Sequence, residues 1–350
     1  MREIDGSYGE GGGQLLRTSV ALSAITGESV HLYNIRAKRS NPGLAPQHLT
    51  AVKAVAALCG AEVDGLEVKS REIIFRPGSL RSGRFVFDIG TAGSITLVLQ
   101  AALPAAISCH QELQMNIIGG TDVRAAPPLD YFRYVLLPLL SGMGVSAKME
   151  IGRRGYYPRG GGQVVVEVYP SPVLRPLVLH RQENPARITG YAHISNLPEH
   201  IIQRMVASAL VELEIFAAPV VELEVLGSPE AVGQGGAILL SAELGNTRLG
   251  ASGVAERGVP AERLGSEAGR LLREEVLSGA TLDIHAADQV LIYMALANES
   301  SCFLASELSS HAVTTIWLLE QFLPVRFEVR EDGKLVRVTA ELNRRNDAFV

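Results

Sequence analysis

The 350-residue chain is poor in cysteine and in aromatic residues, with three Cys, one Trp and 5% Phe, Trp and Tyr together. Cys59, Cys109 and Cys302 lie far apart and are odd in number, which speaks against a disulfide framework or a zinc site and fits a reducing compartment. No apolar run approaches the roughly 18 residues of a membrane span. The longest, Ile95 to Cys109, is interrupted by Thr96, Gln100, Pro104 and Ser108. The first residues, Met-Arg-Glu-Ile-Asp-Gly, carry no apolar signal region, so the expectation is a cytoplasmic protein with no membrane partner. Lysine is scarce as well, with 5 Lys against 27 Arg.

What remains is ordinary globular material, 47% hydrophobic and 20% charged, with a formal net charge of -5. At roughly 100–200 residues per domain, the length implies two or three domains, or one large core with an insertion. Charge is unevenly spread. Between His31 and Arg84 nine Lys and Arg face four acids, whereas between Glu183 and Ala280 seven Arg face thirteen Glu. A mildly acidic protein can still hold a polyanion on one basic region. On composition alone, solvated surfaces of opposite sign are the better account of the split.

Helical and strand periods alternate along the chain. Leu49, Val52, Ala56 and Cys59 recur at helical spacing before a capping Gly60. Similar stripes run through Leu129–Leu140, Ile202–Leu213, Leu264–Val276 and Ile316–Phe322. The stretch Ala92–Ala106 is apolar on nearly every side and predicts a buried helix. Strand-like runs lie at Val30–Arg36, Ile73–Phe75, Arg84–Asp88, Leu113–Ile118, Gln163–Val168, Val220–Leu226, Ala237–Glu243, Val325–Val329 and Leu335–Ala340. A Gly-rich strand end followed by an apolar helix occurs at Gly9–Gln14, Gly90–Ser94 and Gly119–Asp122. Residues 1–80 and 81–175 then form two similar units, and a third is expected to use helices at Ala286–Ala297 and His311–Phe322. The expected fold class is α/β of the α+β kind. Three repeated βαβαββ-like units (1–181 and 279–340) would form a large domain. A smaller α/β domain is inserted at 182–278, a tail follows at 341–350, and Pro170, Pro172, Pro176 and Pro185 mark a linker.

Four segments could carry chemistry. In Gly9-Glu-Gly-Gly-Gly-Gln14 the backbone can approach a ligand closely at a helix N-terminus, although a plain structural turn fits as well. Neither a P-loop nor a Rossmann fingerprint is present. Glu10 within it suits helix-dipole stabilisation, or a divalent cation shared with a phosphate. Arg36-Ala-Lys38-Arg39, on a Pro/Gly loop with Gln47-His48 beyond it, is either a phosphate clamp or an ordinary basic loop. Arg153 to Gly162 suits nucleic-acid backbone contact with stacking, or a tight hairpin. His311, in Ser309-Ser-His-Ala-Val-Thr-Thr, falls at a predicted helix start. There the dipole keeps imidazole neutral and able to attack an activated phosphate, unless its role is structural. Asp288, after His285, could accept a hydrogen bond from adenine, ribose or a histidine.

Taken together, GSYGEGGGQLLR (Gly6–Arg17), RAKRSNPGLAPQHLTAV (Arg36–Val52), GTAGSITLVLQ (Gly90–Gln100), GGTDVRAAPP (Gly119–Pro128), GYYPRGGG (Gly155–Gly162), ADQVLIYMAL (Ala287–Leu296) and Ser310–Arg326 resemble the RNA 3'-terminal phosphate cyclase family, in order and over essentially the whole chain. The resemblance implies that ATP, with Mg²⁺ or Mn²⁺, adenylylates a histidine. AMP then passes to an RNA 3'-phosphate, and the vicinal 2'-hydroxyl closes a 2',3'-cyclic phosphate. It implies His311 as nucleophile and Glu10 as the metal-associated acid. Arg17, Arg36, Arg39 and Gln47 would surround phosphates and RNA, and Gln100, Pro128, His285, Asp288 and Gln289 would line the nucleotide pocket. His285 stands where some members carry a Tyr near the adenine. The same family includes catalytically inactive RNA-binding factors of ribosomal RNA processing, which lack the histidine. Enolpyruvyl transferases, with a similar repeated unit, are a more distant alternative. Protein partners stay open, a homo-oligomer included.

Overall fold

A computed structural model describes residues 1–183 and 186–343. The expected tail beyond 343 and Pro185 of the expected linker lie outside the described residues.

The first segment runs β1 (Arg2–Asp5), α1 (Gly13–Thr26), β2 (Val30–Tyr33), α2 (Pro46–Cys59), β3 (Glu62–Asp64) and β4 (Ile73–Arg76). The second runs β5 (Gly83–Asp88), α3 (Ile95–Ala106) and β6 (Leu113–Gly119). It continues with α4 (Leu129–Tyr131), a π-helical stretch (Phe132–Leu136) and α5 (Leu137–Gly142), then β7 (Ser146–Gly155) and β8 (Gly162–Tyr169). Both sheets follow one pattern. The first two strands pair in parallel, and the fourth lies antiparallel between the second and the third, as β1-β2-β4-β3 and β5-β6-β8-β7.

The middle of the chain supplies β9 (Arg187–Ser195), α6 (His200–Glu212), β10 (Val220–Leu226), β11 (Ala231–Val232), β12 (Gly235–Leu244), β13 (Thr247–Val254) and α7 (Ala261–Ser278). Four of these strands form a separate sheet ordered β10-β9-β12-β13. One of its faces is covered by α6 and α7, with Ile202, Met205, Ala209, Ala268 and Leu272 in a core of its own. Helix α7 is amphipathic, with Leu264, Ala268, Leu272 and Val276 on the stripe that meets the sheet. The short β11 instead pairs with β7.

The last segment is α8 (Ile284–Leu296), β14 (Ser301–Ala305), α9 (Ser310–Phe322), β15 (Val325–Asp332) and β16 (Leu335–Leu342), with the sheet ordered β14-β16-β15. The expected proline linker is not a free connection. Leu174, Leu177 and Leu179 are buried in the main core, and Val178 bridges Cys302 in parallel. Backbone bonds tie Cys302 to Leu177 and Leu179 to Cys302 at 2.7 and 2.9 Å. This short stretch therefore takes the place of the first parallel strand beside β14, and Pro176 directly precedes it, where a missing N–H costs no ladder bond.

Several boundaries differ from expectation for local reasons. The run Val30–Arg36 is a strand only to Tyr33, because Asn34 and Arg36 both take φ of 54° and turn the chain. The buried helix predicted from Ala92 begins at Ile95. Ser94 is its N-cap and accepts a hydrogen bond from the Leu97 N–H at 3.2 Å. Polar-looking β7 and β13 carry no long apolar run and went unpredicted. All three cysteine thiols are free and buried. No helix among the described residues is long and apolar enough to cross a membrane.

Candidate active site

The Gly-rich turn after β1 and the start of α9 meet although some 300 residues separate them. The Glu10 N–H donates to the Thr314 hydroxyl at 3.2 Å, and the Gln14 amide donates to the Thr315 hydroxyl at 2.9 Å. Gly9 sits at φ 56° against Thr314, and a Cβ there would lie 2.2 Å from that hydroxyl, so only glycine allows the approach. Tyr8 stacks on Trp317 at 3.9 Å between ring centres and holds the turn against the helix.

This docking sets the His311 Nδ1 at 3.6 Å from the Glu10 carboxylate. Nδ1 is buried and has no hydrogen-bond partner, which leaves Nε2 as the accessible ring nitrogen. Glu10 is nearly buried, and its charge is taken up by Arg39 and by the Gly12 N–H, which donates to it at 2.7 Å. Lys38 closes the rim by donating to the Gly9 carbonyl at 2.7 Å. Below them Arg17 is fully enclosed. Its guanidinium donates to Gln100 at 3.1 Å and meets the His48 Nδ1 at 3.4 Å, while its Nε is left without a partner. Gln100 in turn donates to Gln289 at 2.8 Å, and Gln289 donates to the His285 carbonyl at 3.0 Å.

The electrostatics follow from enclosure. Burial, with the nearby Arg36 charge, lowers Arg17 to about 10, so it remains a cation at neutral pH. Burial and the charges of Arg17, Arg36 and Arg39 push His48 well below the ordinary histidine value. It is therefore neutral, and its Nδ1 can accept from Arg17. His311 is also lowered, first by burial. Asp288 pulls it back up, while Arg17 and Arg39 push it further down. Burial raises Asp288, partly offset by a hydrogen bond from Ser309 at 2.5 Å. Ser309 is the N-cap of α9 and accepts from the Ala312 N–H at 3.0 Å, so one serine links the helix start to Asp288.

The other expected residues occupy distinct places. Gln47 accepts from the Ser94 N–H at 3.0 Å and so pins the turn before α3. Arg36 spends its Nη1 on the carbonyls of Asn41 and Gly43, holding its own loop, and contributes charge rather than a free fork. Pro128 is buried at the N-cap of α4, a position that offers an apolar wall. The exposed His285 meets Tyr131 edge-on at 6.0 Å. Arg153–Gly162 forms the hairpin between β7 and β8, with Arg154 and Tyr156 buried and Arg153, Tyr157 and Arg159 exposed. His48, which follows the basic loop, is buried against Arg17. Sequence reasoning also missed Lys38 and Thr314 as contacts of the turn, since nothing local signals a partner so distant in the chain.

A family model described as RNA 3'-terminal phosphate cyclase matches residues 8–329. The chain is 71% identical over 341 residues to a Nitrosospira multiformis protein named RNA 3'-terminal phosphate cyclase, covering 97% of each chain. Proteins of the same name from Methanopyrus kandleri and Pyrococcus furiosus are 45% and 44% identical. The matches cover 94% and 93% of this chain, and 95% and 94% of theirs.

Proposed function

The chain belongs to the RNA 3'-terminal phosphate cyclase family, and we propose that it converts an RNA 3'-terminal phosphate to a 2',3'-cyclic phosphate at the expense of ATP, with His311 as a transient AMP carrier. The observation that carries this reading is His311 at the N-terminus of α9, beside Glu10 and within the influence of Arg17 and Arg39.

In the first step the neutral His311 Nε2 attacks the α-phosphorus of ATP. The bond to the β-phosphate oxygen breaks, pyrophosphate leaves, and the imidazole gives up its proton. The lowered pKa of His311 keeps the lone pair available, and the α9 N-terminus opposes protonation in the same direction. A 3'-phosphate oxygen of the RNA then attacks the AMP phosphorus. The N–P bond breaks and RNA(3')pp(5')A results. A terminal phosphate is a poor electrophile until it carries such a leaving group. The vicinal 2'-hydroxyl is already within reach, so its attack on the 3'-phosphorus, with loss of AMP, needs mainly orientation.

Arg39 would hold phosphate oxygens directly, and the enclosed Arg17 would add its positive charge from below. Gln47, through the Ser94 turn, and Arg36, through its charge, would shape the RNA side. Gln100, Pro128, His285, Asp288 and Gln289 would enclose the nucleotide. The Glu10 carboxylate, nearly buried and paired with Arg39, would hold a hard cation only by exchanging that partner for it, the remaining ligands coming from phosphate and water. When bound, Mg²⁺ or Mn²⁺ would neutralise triphosphate charge. We read 182–278 as an inserted unit, a division supported by its separate core.

The test is to incubate RNA bearing a labelled 3'-phosphate with the protein, ATP and Mg²⁺, and then to treat it with phosphatase. The expected outcome is ATP-dependent resistance of the label, reversed by mild acid opening of the cyclic ester. A label that stays fully phosphatase-sensitive, in RNA the protein still binds, would favour a non-catalytic RNA-processing factor.

A further inference from the structure

A cleft of about 1610 Å³ separates the loop Tyr156–Gly162 and the segment after β6 from the inserted sheet and helices. It exceeds the roughly 300–1,000 Å³ typical of a small-molecule site, so it suits a polymer better than a lone nucleotide. Four arginines line it: Arg124 and Arg159 from one wall, Arg204 and Arg257 from the other. Arg124 lies 3.6 Å from Glu256, and Arg204 pairs with Glu262 at 3.0 Å. Arg159 and Arg257 are exposed and make no ion pair among the described residues. The second wall belongs to the most acidic part of the chain, so the basic lining runs against the local trend. Between the arginines the Tyr157 ring is 79% exposed, although its neighbour Tyr156 is buried as an anchor.

This loop also abuts the candidate active site. Gly160 rests on the turn before α3, where a Cβ would lie 2.6 Å from the Thr91 carbonyl oxygen. That turn is the one Gln47 pins through the Ser94 N–H. On the other side Gly235, at the start of β12, packs so closely on the Tyr156 ring that a Cβ would lie 2.2 Å from it. The loop is thus wedged between the Gln47-pinned turn and the inserted unit.

We infer that this cleft holds the single-stranded RNA upstream of the reacting 3'-phosphate, with Arg159 and Arg257 on backbone phosphates and Tyr157 stacked on a base. Unpaired arginines beside an exposed ring are the combination that single-stranded nucleic acid requires. Phosphate contacts supply affinity, and stacking tolerates any base. The inference rests on the proposed function for its reacting end, but its binding component can be measured without turnover.

The experiment compares the full-length protein with R159E/R257E and with Y157A. A fluorescent RNA of about twelve nucleotides with a 3'-phosphate is titrated by anisotropy without ATP, at several salt concentrations. Cyclisation of that RNA and of a dinucleotide 3'-phosphate is then followed with ATP and Mg²⁺. The expected result is a fall of roughly tenfold or more in affinity for the long RNA in R159E/R257E, with the log–log salt slope reduced by about two. Y157A should weaken binding by roughly tenfold. Self-adenylylation and dinucleotide cyclisation should stay at the wild-type rate. Unchanged affinity for the long RNA in R159E/R257E, or an equal loss with both substrates, would overturn the inference. Should the wild type bind the long RNA through these residues yet cyclise neither substrate, the cleft stands and the proposed activity falls.

Discussion

Two clusters in this molecule combine a histidine, carboxylates and an arginine, and they differ in what surrounds them. At the junction of the second segment with the inserted sheet, His193, Asp122, Asp130 and Arg154 are all buried. Arg154 donates to Asp130 at 2.9 Å and lies 3.3 Å from Asp122, while the His193 Nε2 stands 3.4 Å from Asp122. Burial, reinforced by Arg154, lowers His193 to about 3, so its contact with Asp122 joins a neutral ring to a carboxylate. Burial would lower Arg154 too, but the two aspartates more than reverse this and keep it protonated. The aspartate and histidine ligand atoms lie within 4.8 Å of one another, close enough for a metal ion. The guanidinium already supplies the balancing charge between the carboxylates, and the cluster reads as a weld between two bodies.

At the other cluster, His311 keeps 39% of its side chain exposed, although Glu10, Arg17 and His48 around it are nearly as enclosed as the residues of the weld. The same residue types then leave the His311 ring accessible on one side, above a buried and unpartnered Arg17 Nε. The weld also holds unpartnered polar atoms, Asp122 Oδ1 and both ring nitrogens of His193, but they are sealed from solvent, so what separates the two clusters is access rather than residue type.

The largest contrast should come from the histidines. His311→Ala should reduce self-adenylylation to background with little change in melting temperature, while His193→Ala should keep adenylylation and lower the melting temperature. Labelling that survives in His311→Ala would remove the distinction. Next comes Arg154→Met, which strands two buried carboxylates and should cost about 3–5 kcal/mol of stability in denaturant melts. A loss below about 1 kcal/mol, the level of an exposed pair, would mean that the weld is solvated. Arg39→Ala should slow turnover of phosphate-ended RNA by about tenfold or more and self-adenylylation by less. Equal losses would assign Arg39 to ATP.

The smallest effect concerns pH. Asp288 stabilises the charged form of His311, so Asp288→Asn should lower the His311 pKa further and move the acid limb of adenylylation to lower pH, by at most about one unit. A shift toward higher pH would show that Asp288 acts otherwise.

Much of the active-site half was legible in the sequence because its signals are local. A glycine-rich turn, a basic loop and a helix start at His311 each announce themselves within a few residues. The pairing of Glu10 with Arg39, and the chain from Arg17 through Gln100 to Gln289, depend on segments brought together by three sheets. No spacing encodes such contacts. The weld was not foreseen for the same reason. Asp122, Asp130, Arg154 and His193 come from four separate places, and Arg154 read as a surface cation until its two partners appeared. The strand substitute at Leu177–Leu179 was hidden by its prolines, which look like a linker when their packing is unseen.

The most direct measurement is incubation with α-labelled ATP and Mg²⁺, denaturing electrophoresis, and mapping of any labelled peptide. A covalent AMP that is acid-labile, alkali-stable and located on His311 is the predicted result, since an N–P bond to imidazole behaves in this way. A folded, RNA-binding protein that takes up no AMP, or carries it on another residue, would contradict the account.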